Sequence, residues 1–203
     1  MKKPKIRELG EAIKALVKGP YTTKYPFKPP IIFEEYKGFP RFQDDGCVRC
    51  GGCAEVCPTH TIERRDFPKE GKRVMFRDWG NCIVCGQCAL YCLTQKGIVM
   101  TNEFDRSTLN KKEINESIED ELVFCEACGD IITTKKHMNW LIDRLGELAY
   151  SNPTLIMFKN YELGLAEKDA GKNHEGFWRE DHMRILCPNC RRNLVGKEDW
   201  GEQ

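Results

Sequence analysis

Residues 47–58 read CVRCGGCAEVCP, and residues 82–93 read CIVCGQCALYCL. Each stretch contains the spacing C-x2-C-x2-C-x3-C, and only the first continues with a proline after its last cysteine. Thiolates at this spacing are typical of [4Fe–4S] clusters, and the last cysteine of each run then serves the cluster of the other run. Two copies of so specific a run predict two clusters and a chain that carries electrons.

The crossed pattern divides these eight cysteines between two sites. Three cysteines spaced in this way can wrap one corner of a cubane, so the fourth ligand must come from elsewhere. Zinc is disfavoured at these positions because its sites use pairs of pairs rather than runs of four. We expect cluster 1 to be held by Cys47, Cys50, Cys53 and Cys92, and cluster 2 by Cys82, Cys85, Cys88 and Cys57.

Four further cysteines form two C-x2-C pairs, Cys125 with Cys128 and Cys187 with Cys190. Four thiolates presented by two such hairpins suit tetrahedral zinc or a single iron atom. Disulfides are disfavoured because they seldom persist in a reducing compartment. We predict one metal ion at this site, with a structural role, and we favour zinc over iron.

Charge and motifs exclude several functional classes. The balance of 32 basic and 31 acidic residues argues against a general nucleic-acid or anionic-lipid binder. No stretch approaches the roughly 18 consecutive apolar residues of a membrane span, so any membrane role is expected to be peripheral. No apolar segment follows the basic residues at the start of the chain, and we therefore expect an intracellular protein.

No catalytic residue is predicted. The sequence contains no G-x-G-x-x-G, P-loop or nucleophile-elbow motif, so two adjacent clusters point to a relay without chemistry of its own. The metal sites do not require a histidine as ligand, since cysteines suffice for each. The four histidines are expected on the surface or in ordinary structural positions, and they are His60, His137, His174 and His182.

The predicted fold class is α+β, with four segments along the chain. An amphipathic helix and an aromatic, proline-rich arm occupy residues 1–42, and a double-cluster ferredoxin-like domain occupies residues 43–100. An acidic and most simply solvated linker follows at 101–122. A metal-binding extension with four cysteines occupies residues 123–203. Strands are predicted at 61–63, 73–77 and 97–100, with a turn at 68–71. A helix is predicted over about residues 134–149, with Thr133 and Thr134 as candidates for its N-cap.

The first segment is expected to contact another surface. Residues 5–18 place apolar side chains at helical spacing, which suits packing on the protein's own core, on a partner, or at a membrane surface. Residues 20–42 contain five prolines, which exclude a helix, together with many aromatic side chains. Because an extended arm cannot bury these side chains itself, it must lie along the ferredoxin domain or a neighbouring subunit.

Two sets of residues resemble known families. Residues 21–26 (YTTKYP) and 38–42 (GFPRF) resemble the arm of the two-cluster subunit of complex I, the TYKY or NuoI type. Residues 124–129 (FCEACG), Trp140 and residues 187–191 (CPNCR) are similar to the extended ferredoxin subunit of formate hydrogenlyase and of related membrane-bound hydrogenases. Complex I subunits generally lack these additional cysteine pairs, which therefore favour the hydrogenase type.

The resemblance implies a place in a larger assembly. Subunits of this kind pass electrons between a soluble donor, in this case ferredoxin, and the single-cluster subunit beside a nickel–iron site. The arm and the first helix dock the domain at the cytoplasmic face of the membrane, where the subunit is peripheral. Three alternatives remain: the same relay in a complex I-like sulfur, polysulfide or quinone reductase, a freestanding polyferredoxin, or a zinc-ribbon nucleic-acid module, which would want a basic face.

Overall fold

The computed structural model of this chain describes residues 5–167 and 182–196. The chain separates into two compact units, Met1–Tyr36 and Lys37–Gln203. No helix within the described ranges has both the length and the apolar character that a membrane span requires.

The first unit contains helix α1, Ile6–Lys18. The Glu8 carboxylate accepts a hydrogen bond from the Lys5 backbone N–H at 3.1 Å, and Gly19 ends the helix with a φ of 76° that favours glycine. The predicted apolar stripe is present, but no side chain of α1 is buried. Residues 19–36 form turns and irregular chain. The apolar side chains of α1 are therefore open to contact with another surface.

The second unit begins with the ferredoxin part. Strand β1 pairs antiparallel with β4, and β2 pairs antiparallel with β3. The predicted strands and the turn between β2 and β3 are confirmed. In chain order the elements are β1 (Pro40–Phe42), α2 (Gly52–Glu55), β2 (Ile62–Phe67), β3 (Lys72–Asp78), α3 (Gln87–Leu90) and β4 (Ile98–Met100).

Strand β1 corrects the expected end of the arm. It lies inside segment 1–42, yet it forms a two-stranded sheet with β4 and its Phe42 is buried. Pro40 opens the strand at a position where a missing N–H is tolerated. The backbone N–H of Gly38 also donates to the Thr101 carbonyl at 2.7 Å. Residues 37–42 therefore belong to the ferredoxin part, and only the residues before them form a separate unit.

The ferredoxin part is an internal repeat with an offset of 35 residues, the separation of Cys82 from Cys47. The short helices α2 and α3 occupy equivalent positions, each after a left-handed glycine, Gly51 or Gly86. Left-handed backbone also recurs at two matched pairs of non-glycine residues, Arg49 with Val84 and His60 with Gln95. The same local backbone is thus built twice around the two cysteine runs.

The predicted acidic linker is wrong for its second half. Asn115–Phe124 forms strand β5, which pairs with β3 on one side and with β6, Ile131–Thr134, on the other. The resulting four-stranded sheet has the order β2-β3-β5-β6. Only residues 101–114 remain irregular, with one 3₁₀ turn at Lys111–Ile114.

Charge complementarity between strands explains this correction. The register places Arg77 opposite Glu116 and Arg73 opposite Asp120, so the acidic strand lies beside a basic one. Ile118 is half-buried between the two acids and packs against the ferredoxin core. An acidic run considered alone is typical of solvated chain, whereas opposite charges on a neighbouring strand stabilise a pair.

The described part of the four-cysteine extension contains helices α4 (Lys135–Leu145), α5 (Pro153–Glu162) and α6 (Pro188–Gly196). As predicted, Thr134 caps α4, and its hydroxyl accepts from the His137 N–H at 3.4 Å. Helix α4 ends at Leu145 rather than near residue 149 because Gly146 takes a φ of 56° and a 3₁₀ turn follows. Helices α4 and α5 share a buried core with Val123 of β5, formed with Met138, Ala149, Leu155, Phe158 and Ile185.

Candidate iron–sulfur and metal centres

The first four-thiol site, pocket A, combines residues from both halves of the repeat. Met75 and Ile98 supply apolar wall, and about 320 Å³ of space lies between the side chains, part of it open to solvent. Gly97 allows the halves to approach, since a Cβ there would lie 3.1 Å from Cys47 Cα and 3.2 Å from Cys92 Sγ. The cysteines in its wall are Cys47, Cys50, Cys53 and Cys92.

The second four-thiol site, pocket B, is the counterpart of pocket A. Ile62 and Pro40 line it together with Arg77, and about 340 Å³ of space lies between the side chains. The cysteines in its wall are Cys57, Cys82, Cys85 and Cys88.

The two pockets bring the eight cysteines together in the two groups expected for clusters 1 and 2. In each group the last cysteine of a run joins three cysteines of the other run. The pockets also share one core, because Cys53 of pocket A and Cys57 and Cys88 of pocket B pack in the same buried cluster. Ligation itself stays a prediction at this point.

Threonine hydroxyls lie against the last cysteine of each run. Thr59 and Thr61 lie 3.7 and 3.3 Å from Cys57 Sγ, and Thr94 lies 3.5 Å from Cys92 Sγ. Burial acts to raise the pKa of Cys57, but the hydrogen bonds from Thr61 and Thr59 outweigh it and lower that pKa to about 7. The same balance lowers the pKa of Cys92. Both thiols therefore lose their proton more readily than an ordinary cysteine.

Two arginines stand in the pocket walls, and their roles are not evident from the sequence. Arg49 lines pocket A, and its guanidinium pairs with the Asp44 carboxylate and donates to the Cys47 carbonyl. Arg77 lines pocket B and is 0% exposed. The sequence does not indicate Arg77 as a site residue, because its role depends on the position of β3, which contributes Met75 to pocket A and Arg77 to pocket B.

The residues of both pockets fit iron–sulfur clusters. Each wall contains four thiols and an arginine, and neither contains a histidine or a carboxylate. Four thiolates and a cluster carry net negative charge, which a buried guanidinium compensates. Burial raises the pKa of Cys53 to about 12, so a thiolate at that position requires a positive partner such as iron.

The remaining four cysteines form a compact group in the extension, the four-cysteine site. The sulfur atoms of Cys125, Cys128, Cys187 and Cys190 all lie within 4.8 Å of one another. The Cys128 and Cys187 sulfurs are 3.8 Å apart. Zinc–sulfur bonds of about 2.3 Å in a tetrahedron imply a sulfur–sulfur separation of about 3.8 Å. The arrangement therefore suits one tetrahedral ion.

Backbone hydrogen bonds hold the four-cysteine site in shape. The Cys187 N–H donates to Cys125 Sγ at 3.2 Å, and the Cys190 N–H donates to Cys187 Sγ at 3.4 Å. Gly129, with a φ of 74°, turns the first hairpin so that its N–H reaches the Cys125 carbonyl at 2.9 Å. The second pair lies at the start of α6, whose Leu194 packs in the same small core.

No described histidine lines pocket A or pocket B or belongs to the four-cysteine site. His60 and His182 are exposed. His137 lies beside the Thr133 hydroxyl at 2.6 Å, and burial together with the charge of Arg73 lowers its pKa. His174 lies outside the described residues. Among the described residues, the one group with metal-ligand geometry outside the pockets consists of cysteines alone.

The extension also touches the loop of pocket A. The Thr134 hydroxyl donates to the Val48 carbonyl at 2.6 Å, between the first two cysteines of the run. Lys136 forms an ion pair with Asp44 at 2.9 Å, and Asp44 in turn holds Arg49. The segment assigned to a separate extension is therefore joined directly to one of the two cysteine loops.

Comparisons with known proteins agree with this geometry. Residues 46–96 match the family model described as a 4Fe-4S dicluster domain. The chain is 34% identical over 101 residues to NAD(P)H-quinone oxidoreductase subunit I of Gloeobacter violaceus, an alignment that covers 47% of this chain and 48% of the relative. The chloroplastic subunit I of Chloranthus spicatus is 35% identical over 101 residues, covering 47% and 56%.

Two further matches are more distant. A putative formate dehydrogenase of Staphylococcus haemolyticus is 32% identical over 79 residues, which cover 34% of this chain and 8% of that protein. One solved structure, the membrane-bound sulfane sulfur reductase, an archaeal respiratory membrane complex, matches with a TM-score of 0.40 and 24% identity. That match covers 56% of this chain and 61% of that one, and it is too weak to establish a shared fold.

The family-model match falls on the part of the chain that contains the two cysteine runs. The chain spans about half the length of the two subunit I relatives that it matches. Over residues 46–96 it is similar to 4Fe-4S dicluster domains, and over about half its length it is similar to the subunit I relatives.

Proposed function

We propose that this protein is a non-catalytic electron-transfer subunit with one [4Fe–4S] cluster in pocket A and one in pocket B. Clusters of this type supply one-electron transfer at low to moderate potential. The observation that supports this most is the crosswise grouping of eight thiols in two pocket walls that share a buried core. A relay requires two centres close together and shielded from water, which that core provides.

The protein's own residues have distinct tasks in such a relay. The eight cysteines bind iron as thiolates. Met75, which is 0% exposed, and the buried Ile62 and Ile98 exclude water from between the two pockets. Thr61 and Arg77 present hydrogen-bond donors and positive charge, which together with solvent exposure set the potential of an iron–sulfur centre.

The relay is proposed to act within a membrane-associated, complex I-like assembly. Relatives of this chain are subunits of NAD(P)H-quinone oxidoreductase. Exposed apolar side chains on α1 and exposed aromatic side chains in residues 19–36 suit docking onto neighbouring subunits. The protein would be peripheral, at the cytoplasmic face of the membrane.

The finer proposal is a role in a membrane-bound [NiFe] hydrogenase, between a soluble ferredoxin donor and the single-cluster subunit. The four-cysteine site supports this choice through its resemblance to the extended hydrogenase subunits. A complex I-like sulfur, polysulfide or quinone reductase is the alternative within the same class. A freestanding polyferredoxin is the alternative outside it, and α1 with the apolar segment after it speaks against that role.

The four-cysteine site is proposed to hold one structural ion, zinc in preference to iron. Its thiols approach tetrahedral spacing and join the loop after β5 to the start of α6, a long way apart in sequence. Closing such a long connection costs chain entropy, which a metal bridge offsets.

Metal analysis of the anaerobically purified protein tests the cofactor content. Two cubanes and one zinc ion give about eight irons and about one zinc per chain. A ninth iron without zinc would instead indicate a single-iron site at the four cysteines. About four irons per chain would contradict the two-cluster proposal.

Deletion of residues 5–36 tests the docking role. This deletion leaves β1 intact, and we expect both clusters to assemble while the subunit no longer co-purifies with a membrane complex. A matched pair of variants separates the two faces of α1: Leu9→Ser with Ile13→Ser should release the subunit, whereas Glu11→Gln with Lys14→Gln should not. A native protein that purifies as a soluble monomer would support the polyferredoxin alternative.

A further inference from the structure

A buried arginine lies at the junction of the two pockets. Arg77 of β3 lines pocket B beside its four cysteines and is 0% exposed. Its guanidinium lies 4.0 Å over the ring of Phe42, which holds the plane of the group. Arginine keeps its proton in proteins, so this wall carries a permanent positive charge.

The hydrogen bonds of Arg77 are incomplete. Nη1 donates to the Pro40 carbonyl at 2.7 Å and approaches the Glu116 carboxylate at 3.4 Å. Nε and Nη2 are buried and have no acceptor within the described part of the chain. A guanidinium has five N–H groups, and these two nitrogens carry three of them. Buried donors of this kind are normally satisfied, which indicates an acceptor that the protein itself does not provide.

The charge of Arg77 reaches thiols of both pockets. Burial raises the pKa of Cys88 in pocket B and of Cys53 in pocket A, and Arg77 is the strongest influence in the opposite direction on each. Arg77 thus stabilises negative charge on sulfur at the places where clusters are proposed.

We propose that Arg77 is a positioning residue that raises the reduction potential of the cluster in pocket B by directing positive charge and free N–H groups at its sulfur atoms. The inference rests on the proposed binding of a cluster in pocket B. Reduction adds one electron from the donor to the cluster, and Arg77 neither gains nor loses a proton. Because reduction makes the centre more negative, a fixed cation stabilises the reduced form more than the oxidised form.

Arg73 shows the difference between a structural arginine and this one. It lies on the same strand and is also buried. Its guanidinium, however, is fully engaged, with the Asp66 carboxylate at 2.6 and 3.0 Å and the Arg49 carbonyl at 3.2 Å. It lines neither pocket, and it therefore provides a matched control.

The test is an EPR-monitored potentiometric titration of the purified full-length protein with dithionite. Cys85→Ser and Cys50→Ser assign the signals of pockets B and A. In Arg77→Met the ratio of reduced to oxidised cluster in pocket B should fall at least tenfold at a fixed ambient potential, which for one electron corresponds to about 59 mV. The shift in pocket A should be smaller. Arg77→Lys should retain most of the potential, and Arg73→Met should leave that of pocket B unchanged.

Glu116→Gln provides a second test with the opposite sign. At pH 8 the ionised carboxylate partly neutralises Arg77, so its removal should raise the potential of the pocket B cluster. General damage to the pocket would admit water, which favours the more negative reduced form and also raises the potential. Damage therefore cannot imitate the fall expected for Arg77→Met.

The outcomes separate this inference from the proposed function. An unchanged or raised pocket B potential in Arg77→Met, with both clusters present, overturns the role of Arg77 alone. If Arg77→Met does not assemble that cluster, the comparison of Arg77→Gln with Arg77→Lys decides, and a pocket B potential that is no lower in Arg77→Gln than in Arg77→Lys overturns it. A wild-type protein with no cluster in pocket B overturns both this inference and the two-cluster relay.

Discussion

Pocket A and pocket B are made from the same run of residues repeated 35 positions apart, but different parts of the chain surround them. The loop of pocket A is held from outside by the four-cysteine extension, through Thr134 on Val48 and Lys136 on Asp44. Among the described residues, the extension makes no such contacts with the loop of pocket B, whose wall instead contains Arg77 and Thr61. The repeated runs thus give both pockets the same set of four thiols, while non-repeated neighbours make the two pockets chemically distinct.

Replacing the last cysteine of either run should have the largest effect on the two pockets. We expect Cys57→Ser to perturb the cluster of pocket B and Cys92→Ser that of pocket A, because each side chain lies in the wall of the opposite pocket. EPR and iron content of the two variants measure this effect, which should approach complete loss of one cluster. If Cys57→Ser removed the cluster held by Cys47, Cys50 and Cys53, ligation would not be crossed.

The second largest effect is expected from removing the ion of the four-cysteine site, which should destabilise pocket A more than pocket B. We expect Cys128→Ser with Cys190→Ser to release one zinc and to loosen α4 to α6, since structural zinc contributes folding energy directly. Because α4 begins at Thr134, pocket A should then lose its cluster to a chelator at least tenfold faster, and pocket B should be little affected. Equal acceleration at both pockets would show that the extension does not act selectively.

A smaller effect is expected from removing the hydrogen bond between the Thr134 hydroxyl and the loop of pocket A. Thr134→Val removes the bond to the Val48 carbonyl and the cap of α4, and leaving such a buried group unsatisfied costs about 1–3 kcal/mol. Cluster loss from pocket A should accelerate roughly tenfold, since 1.4 kcal/mol corresponds to one decade. Thr133→Val is the control, because its hydroxyl contacts His137 and not the cysteine loop. Identical rates of cluster loss in Thr134→Val and Thr133→Val would show that the hydrogen bond from Thr134 to Val48 does not stabilise pocket A.

The smallest expected effect concerns the threonines beside the last cysteines. Thr61 lies 3.3 Å from Cys57 Sγ, whereas the Thr94 hydroxyl already donates to the Gly46 carbonyl at 2.7 Å and lies farther from Cys92 Sγ. A hydrogen bond of about 0.5–1.5 kcal/mol corresponds to roughly 20–60 mV for one electron. Thr61→Val should lower the pocket B potential by about this amount, while Thr94→Val should lower that of pocket A by clearly less. Equal shifts would contradict the asymmetry.

The parts of the fold that depend on local signals were predictable. The cysteine runs, the turn between β2 and β3, the cap at Thr134 and the helix near the start of the chain each depend on residues within a few positions of one another. Helix α5 carried such a signal, Asn152 followed by Pro153, with the Asn152 side chain accepting from the Thr154 N–H at 2.9 Å. Those two residues are a usual helix start, so the local sequence is sufficient to indicate α5 as well.

Strand β5 was not predictable in the same way. Its acidic residues are favourable only because Arg73 and Arg77 lie on the strand beside it, a pairing made over some 40 residues of intervening chain. The same strand turns segment 101–122 from a linker into the connection between the ferredoxin part and the extension. The residue pattern of a strand does not show which distant strand it pairs with.

The sequence by itself determined the candidate ligands of this protein and their expected grouping, because the number and spacing of the cysteines are covalent properties of short stretches of chain. It also determined that the runs would repeat one local backbone, with glycines before α2 and α3. Only the tertiary structure decided which arginine faces the thiols with unpaired N–H groups and which cysteine loop the extension contacts. These features depend on the packing of β3, β5 and α4, where contacts join residues that are far apart in sequence. Whether a charged side chain is stabilised there depends on the residues that surround it in the folded protein.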